Sequence, residues 1–151
     1  MDSARSYQNM MDFEILFNLA IAFVLPAWVL LAAAPRWHWA RRLILSCLIP
    51  LALALLYSIL IICYLGRAQG SFMSLAGVQQ LFETPGVLLA GWIHYLVFDL
   101  LVGMWQTDDA IKNGIPGVLR APCLILTFLL GPMGFLAYFI SRTVYLRRLG
   151  L

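Results

Sequence analysis

Charge is what this chain has least of. Charged residues make up 11% of its 151 positions, against roughly a quarter in a soluble domain, which excludes a water-soluble globular core. Histidine is nearly absent: His38 and His94 are the only two. They lie at separate depths, too few for a metal centre of the membrane di-iron kind. The three cysteines, Cys47, Cys63 and Cys123, form no CxxC pair and sit inside apolar runs. Neither a zinc site nor a disulfide framework is indicated, and they read as small apolar fillers. The net charge of +3 is carried mostly by arginines spread between apolar runs, not gathered into the basic face that nucleic-acid binding requires. Nothing marks an internal boundary, so residues 1–151 read as a single membrane domain.

Hydrocarbon is what the chain has in quantity, at 63% hydrophobic residues. Four apolar runs stand out, at about 13–34, 43–65, 85–105 and 122–140. Each approaches the roughly 20 residues needed to cross a bilayer as a helix, and helix is the state in which such a run satisfies its own backbone in lipid. The expected fold class is an all-α integral membrane protein, with four transmembrane helices in a small bundle. Asp12 and Glu14 precede the first run where a signal peptide carries positive charge, so that run reads as retained despite Ala32-Ala33-Ala34.

The connections are short. Pro35 to Arg42 forms an aromatic and basic interfacial band that includes His38. Leu75, Val78, Leu81 and Phe82 recur at helical spacing and predict a short amphipathic helix on the membrane surface between spans two and three. Thr84-Pro85 supplies an N-cap and a first-turn proline for span three. Pro26, Pro50 and Pro132 interrupt the other helices. Gly131-Pro132-Met133-Gly134 is the sharpest break, read either as a pocket exposing carbonyls or as a packing kink of small residues. With four spans both termini share a side, and the basic residues on the two sides then tie, leaving orientation open.

The chemistry lies in span three. Asp99 sits near the middle of an apolar run, where a carboxyl costs about 2.5–3.5 kcal/mol on insertion scales. His94 precedes it by five residues, about 140° around the helix and about 7.5 Å along it, so the two do not pair directly. Trp92, Tyr95, Asp99, Gly103 and Gln106 fall near one face, whereas Asp108 and Asp109 fall at the membrane surface, where charge is cheap. Partners for Asp99 by depth are Tyr57 or Ser58, Thr127 and Asn18. Without a cationic neighbour, desolvation keeps a carboxyl protonated, the form a general acid requires, and His94 would receive or relay the proton. The alternative is that both are hydrogen-bonded glue between helices.

Specific residues then carry a resemblance. The run Gly91-Trp92-Ile93-His94-Tyr95-Leu96-Val97-Phe98-Asp99-Leu100, followed by Gly103, Trp105, Asp109, Gly114, Ile115 and Pro116, resembles the abscisic-acid-deficient-four-like family. Pro122-Cys123-Leu124-Ile125-Leu126-Thr127 and Gly131-Pro132-Met133-Gly134 are similar to its fourth-helix pattern. Leu75 to Phe82 and Leu25-Pro26 fit its first half more loosely, and the likeness covers essentially the whole chain.

The resemblance implies a small polytopic membrane protein whose plant member is needed to turn violaxanthin into neoxanthin in the chloroplast envelope. That isomerisation opens an epoxide and removes a proton from carbon, with no redox change and no cofactor. It implies a carotenoid or other lipophilic isoprenoid as ligand, with the bilayer, a second copy or carotenoid-pathway enzymes as partners. Asp99 and His94 are then the candidate acid and base. Trp92, Tyr95, Trp105, Asn18, Thr127, Gly131 and Pro132 are the candidate substrate-binding residues. A carotenoid is about as long as the hydrocarbon is thick, about 30 Å, and fits a groove beside span three. The start of the chain, with no Arg- and Ser-rich leader, points to a bacterial inner membrane rather than a plastid envelope. The rivals are a non-catalytic pigment-binding or assembly factor and a small oligomeric transporter or channel.

Overall fold

In the computed structural model the chain is described over residues 2–149, with side chains at 10–42 and 46–149. Among these residues seven α-helices follow one another: α1 Asp2–Ala33, α2 His38–Ser46, α3 Leu48–Tyr64, α4 Leu75–Phe82, α5 Pro85–Lys112, α6 Gly117–Leu130 and α7 Pro132–Leu146. A 3-10 turn, Leu65–Arg67, extends α3. Among the described residues, three stretches are long and apolar enough to cross a membrane: Met10–Ala33, Leu48–Arg67 and Pro85–Lys112. Many of their outward residues are aliphatic, as at Ile15, Leu19, Val29, Leu55 and Ile62. Apolar surface this extensive is covered by lipid or protein, not by water.

The second and fourth expected spans are each divided. Cys47 takes a left-handed conformation, φ 49°, between α2 and α3, so the second apolar run begins as a separate amphipathic helix and its spanning part starts at Leu48. The expected fourth span is broken at Gly131, whose φ of 40° and ψ of −95° lie outside helical geometry. Pro132 follows as the first residue of α7, where its missing N–H costs nothing. Pro26 and Pro122 are carried inside α1 and α6. The helix expected between spans two and three is present as α4, capped by the Ser74 hydroxyl, which accepts from Gly77 N at 3.1 Å.

The contacts divide the chain into two compact units, to both of which α1 and α5 contribute residues. One comprises the N-terminal part to Phe23 together with Leu51–Val97. It is joined by rings: Phe13 meets Tyr64 edge-on at 5.3 Å, and Phe17 meets Trp92 at 5.4 Å. The Tyr64 ring lies so close over Gly86 that any Cβ there would overlap it. A groove of about 490 Å³ opens along α1 and α5 in this unit, lined by Phe13, Glu14, Phe17, Leu88 and Trp92 among others.

The other unit comprises Val24–Pro50 and the chain from Phe98 onward. Trp28 packs on the Gly103 backbone and on Phe128, 5.4 Å away. Ala110, Ile115, Cys123 and Tyr138 form a buried apolar cluster. Arg120 closes the end of α1 by donating from Nη2 to the Ala32 carbonyl at 3.1 Å, one of the carbonyls a helix end leaves without an internal acceptor role.

Candidate functional site

The second unit holds a file of polar side chains along α5. Asp99 lies midway along that helix, about 20 Å from either end, and is 9% exposed. The break between α6 and α7 lies against it: a Cβ placed on Gly131 would sit 2.6 Å from Oδ1 and 3.1 Å from Oδ2. Only a residue without a side chain lets the turn approach so closely, and the positive φ independently favours glycine there. The carboxyl therefore meets the N-terminal end of α7, where the first N–H groups of a helix have no internal acceptor.

Two turns further along α5, Gln106 is fully buried. Its Nε2 donates to Thr127 Oγ1 at 3.0 Å and to the Gly134 carbonyl at 3.2 Å. Thr127 also donates back to its own helix, to the Cys123 carbonyl at 2.8 Å. Gly134 passes so near Thr127 that a Cβ would overlap the Thr127 backbone. One amide thus ties α5, α6 and α7 together.

Beyond it, Asp109 accepts from Tyr138 OH at 2.7 Å and from Arg142 Nε at 2.8 Å through the same Oδ2. Arg142 is 1% exposed and Asp109 12%. Sequence reasoning placed Asp109 at the surface as an inexpensive charge; the structure gives it a buried cationic partner. Charge-assisted bonds of this kind are stronger than neutral ones, and a buried charge is tolerated where it is paired. The signal was in α7: an arginine four residues after a tyrosine, on one face of an apolar helix.

The sequence-derived candidates fall into two groups. Asp99, Trp105, Thr127, Gly131 and Pro132 belong to the unit just described. There Asp99 meets Gly131, and Trp105 meets Phe135 at a tilt and Tyr138 edge-on, at 5.7 and 5.5 Å. Trp92, His94, Tyr95 and Asn18 belong to the other. Trp92 and Tyr95 are 5.3 Å apart, and the exposed His94 has its ring 5.8 Å from that of Tyr57. Asn18 is exposed on α1. Ser58, a possible Asp99 partner by depth, donates to Ala54 O in its own helix at 2.8 Å. Among the described residues, no three His, Cys, Asp or Glu side chains gather to hold a metal.

This arrangement can be set beside known proteins. The profile described as ABA DEFICIENT 4-like matches residues 15–138. The chain belongs to the ABA DEFICIENT 4-like family. The matched stretch includes Asp99, Gln106, Thr127 and Gly131 and ends at Tyr138. Among curated relatives, the chain is 24% identical over 136 residues to Protein ABA DEFICIENT 4, chloroplastic, of Arabidopsis thaliana, across 85% of this chain. It spans 60% of the length of that relative. No solved structure matches. Membership in the ABA DEFICIENT 4-like family and three membrane-length helices agree with the sequence reading of a helical membrane protein.

Proposed function

We propose that this ABA DEFICIENT 4-like chain is a membrane-embedded protein that acts on a carotenoid or related isoprenoid, as a cofactor-free acid–base isomerase of the neoxanthin-forming type. The observation that carries this reading is Asp99, a carboxyl nine-tenths buried halfway along a helix of spanning length. Membership in a family with a carotenoid-pathway relative supports the substrate class. In the reaction, the Asp99 proton goes to the epoxide oxygen as the C–O bond breaks. A base removes the proton from the neighbouring carbon, and the C–H electron pair becomes the new double bond. Atoms and electrons balance without oxidant or reductant. His94 is the sequence candidate for that base and belongs with Trp92 and Tyr95 to the other unit, whereas Trp105 shares the unit of Asp99 and offers a face for the polyene. In this reading α4 lies along the membrane surface. A further copy or pathway enzymes pack on the exposed aliphatic faces.

The test is expression in a host that makes epoxy-carotenoids, with pigment profiling. The expected result is a new pigment of unchanged mass. Asp99→Asn lowers its yield by about 10²- to 10⁴-fold, the usual weight of a positioned acid, while the protein remains inserted. Full activity in that variant removes the acid role. A second reading, a non-catalytic pigment-binding or assembly factor, draws support from the same contact: Gly131 backbone presses on the Asp99 carboxyl, as expected of a clasp. Pigment that co-purifies unaltered decides for it.

A further inference from the structure

We propose that α6 and α7 form a re-entrant hairpin: the chain dips into the bilayer after α5, turns beside Asp99, and leaves through the face by which it entered. The inference goes beyond the isomerase reading and holds whether or not Asp99 performs chemistry.

Length is the first support. Fourteen and fifteen residues give α6 and α7 about 21 and 22 Å each, short of the roughly 30 Å of hydrocarbon. Joined end to end they would span it, so the turn between them decides. In one continuous helix Thr127 and Gly134 would stand about 10 Å apart along the axis. Here they touch, backbone against backbone, and Gln106 bonds both at once. The chain has therefore doubled back at Gly131.

Direction is the second support. Starting from Gly131 beside Asp99, α7 advances alongside α5 toward the same end. Tyr138 and Arg142 reach Asp109, Tyr145 OH donates to Gly114 O at 3.3 Å, and Arg148 Nη2 donates to Asn113 Oδ1 at 2.7 Å. The last helix ends where α6 began. A turn at mid-depth needs its backbone buried and bonded. Gly131 is buried, its N–H donates to Thr127 O at 2.8 Å, and its carbonyl accepts from Phe135 N at 3.1 Å.

Charge is the third, independent support. Three spans and a returning hairpin put the termini on opposite sides. All ten Lys and Arg residues except Arg5 and Arg67 then belong to one face, whereas four spans leave the count tied. A bias this strong marks the face that stays in the cytoplasm.

The experiment is single-cysteine labelling of the full chain in sealed vesicles of both orientations, using a membrane-impermeant maleimide in a background with Cys47, Cys63 and Cys123 replaced by serine. Lys112→Cys and Leu149→Cys are expected to label from the same face as Trp37→Cys, and Met73→Cys from the other. Labelling of Leu149→Cys together with Met73→Cys overturns the hairpin. Should the cysteine-free background fail to fold, reporters on the native sequence decide instead. A C-terminal fluorescent protein that folds only in the cytoplasm is expected to be bright, and an N-terminal epitope to be accessible from outside. Termini on one side overturn the hairpin, and a C-terminus outside overturns the charge assignment.

Discussion

α3 and α5 are both long and apolar enough to cross a membrane, yet they are used differently. In the most apolar window of α3 with its 3-10 turn, 17% of residues are buried inside the protein; in that of α5, 50%. α3 shows its aliphatic side chains outward at Leu51, Leu55, Ile59 and Ile62, and its unit is joined by ring contacts that tolerate adjustment. The second half of α5 is locked by polar bonds of fixed geometry at Gln106 and Asp109. In lipid, apolar contact distinguishes poorly between a neighbouring helix and an acyl chain, so specific structure is set by small-residue packing and hydrogen bonds. The polar half of the chain is the half that must hold one shape.

Substitutions can break or sharpen that contrast. The largest effect is expected from Gly134→Leu, which drives a side chain into the Thr127 backbone; no monodisperse protein should be recovered by size-exclusion chromatography in detergent. Arg142→Ala leaves Asp109 without its cation and should cost about 3–5 kcal/mol, the usual penalty for breaking a buried pair. Thermal unfolding in micelles reads this, and adding Asp109→Asn should recover part of the loss. Gln106→Leu removes two bonds at once and leaves the Gly134 carbonyl short of a donor, worth about 1–3 kcal/mol. The smallest effect belongs to the other unit: Ile62→Ala, 81% exposed, should shift stability by less than about 0.5 kcal/mol. His94→Gln should be equally mild in stability and severe in product yield, and unchanged yield would remove histidine from the reaction.

Much of the fold was written in the apolar runs. Helices of membrane length over the first and third runs follow from run length, although α5 continues past the expected end at 105 to Lys112; α4 follows from the spacing of Leu75, Val78, Leu81 and Phe82, and the start of α5 from Thr84-Pro85. The break at Gly131-Pro132 was equally visible, but its outcome was not. A glycine and a proline announce that a helix stops, whereas the return of the chain depends on Gly134 meeting Thr127, a tertiary contact with no local cue. Cys47 is harder still, because a left-handed cysteine has no compositional mark. Asp99 stood out because a lone carboxyl in an apolar run is expensive. Asp109 did not, because its partner Arg142 lies 33 residues away and each looked cheap by itself. His94 and Asp99 were coupled in the sequence as the ionisable side chains of one apolar run, and the contact pattern assigns them to separate units.

The doubling back at Gly131 bears on how the chain is made. A last segment that returns to its starting face never drags Arg147 and Arg148 through oil. The insertion machinery need only lower the uncharged stretch from 121 to 141 beside a helix already in place, while Arg120, Arg142, Arg147 and Arg148 stay toward the face by which it entered. Biogenesis of α6 and α7 then reduces to docking against α5, with Gln106 waiting as the latch.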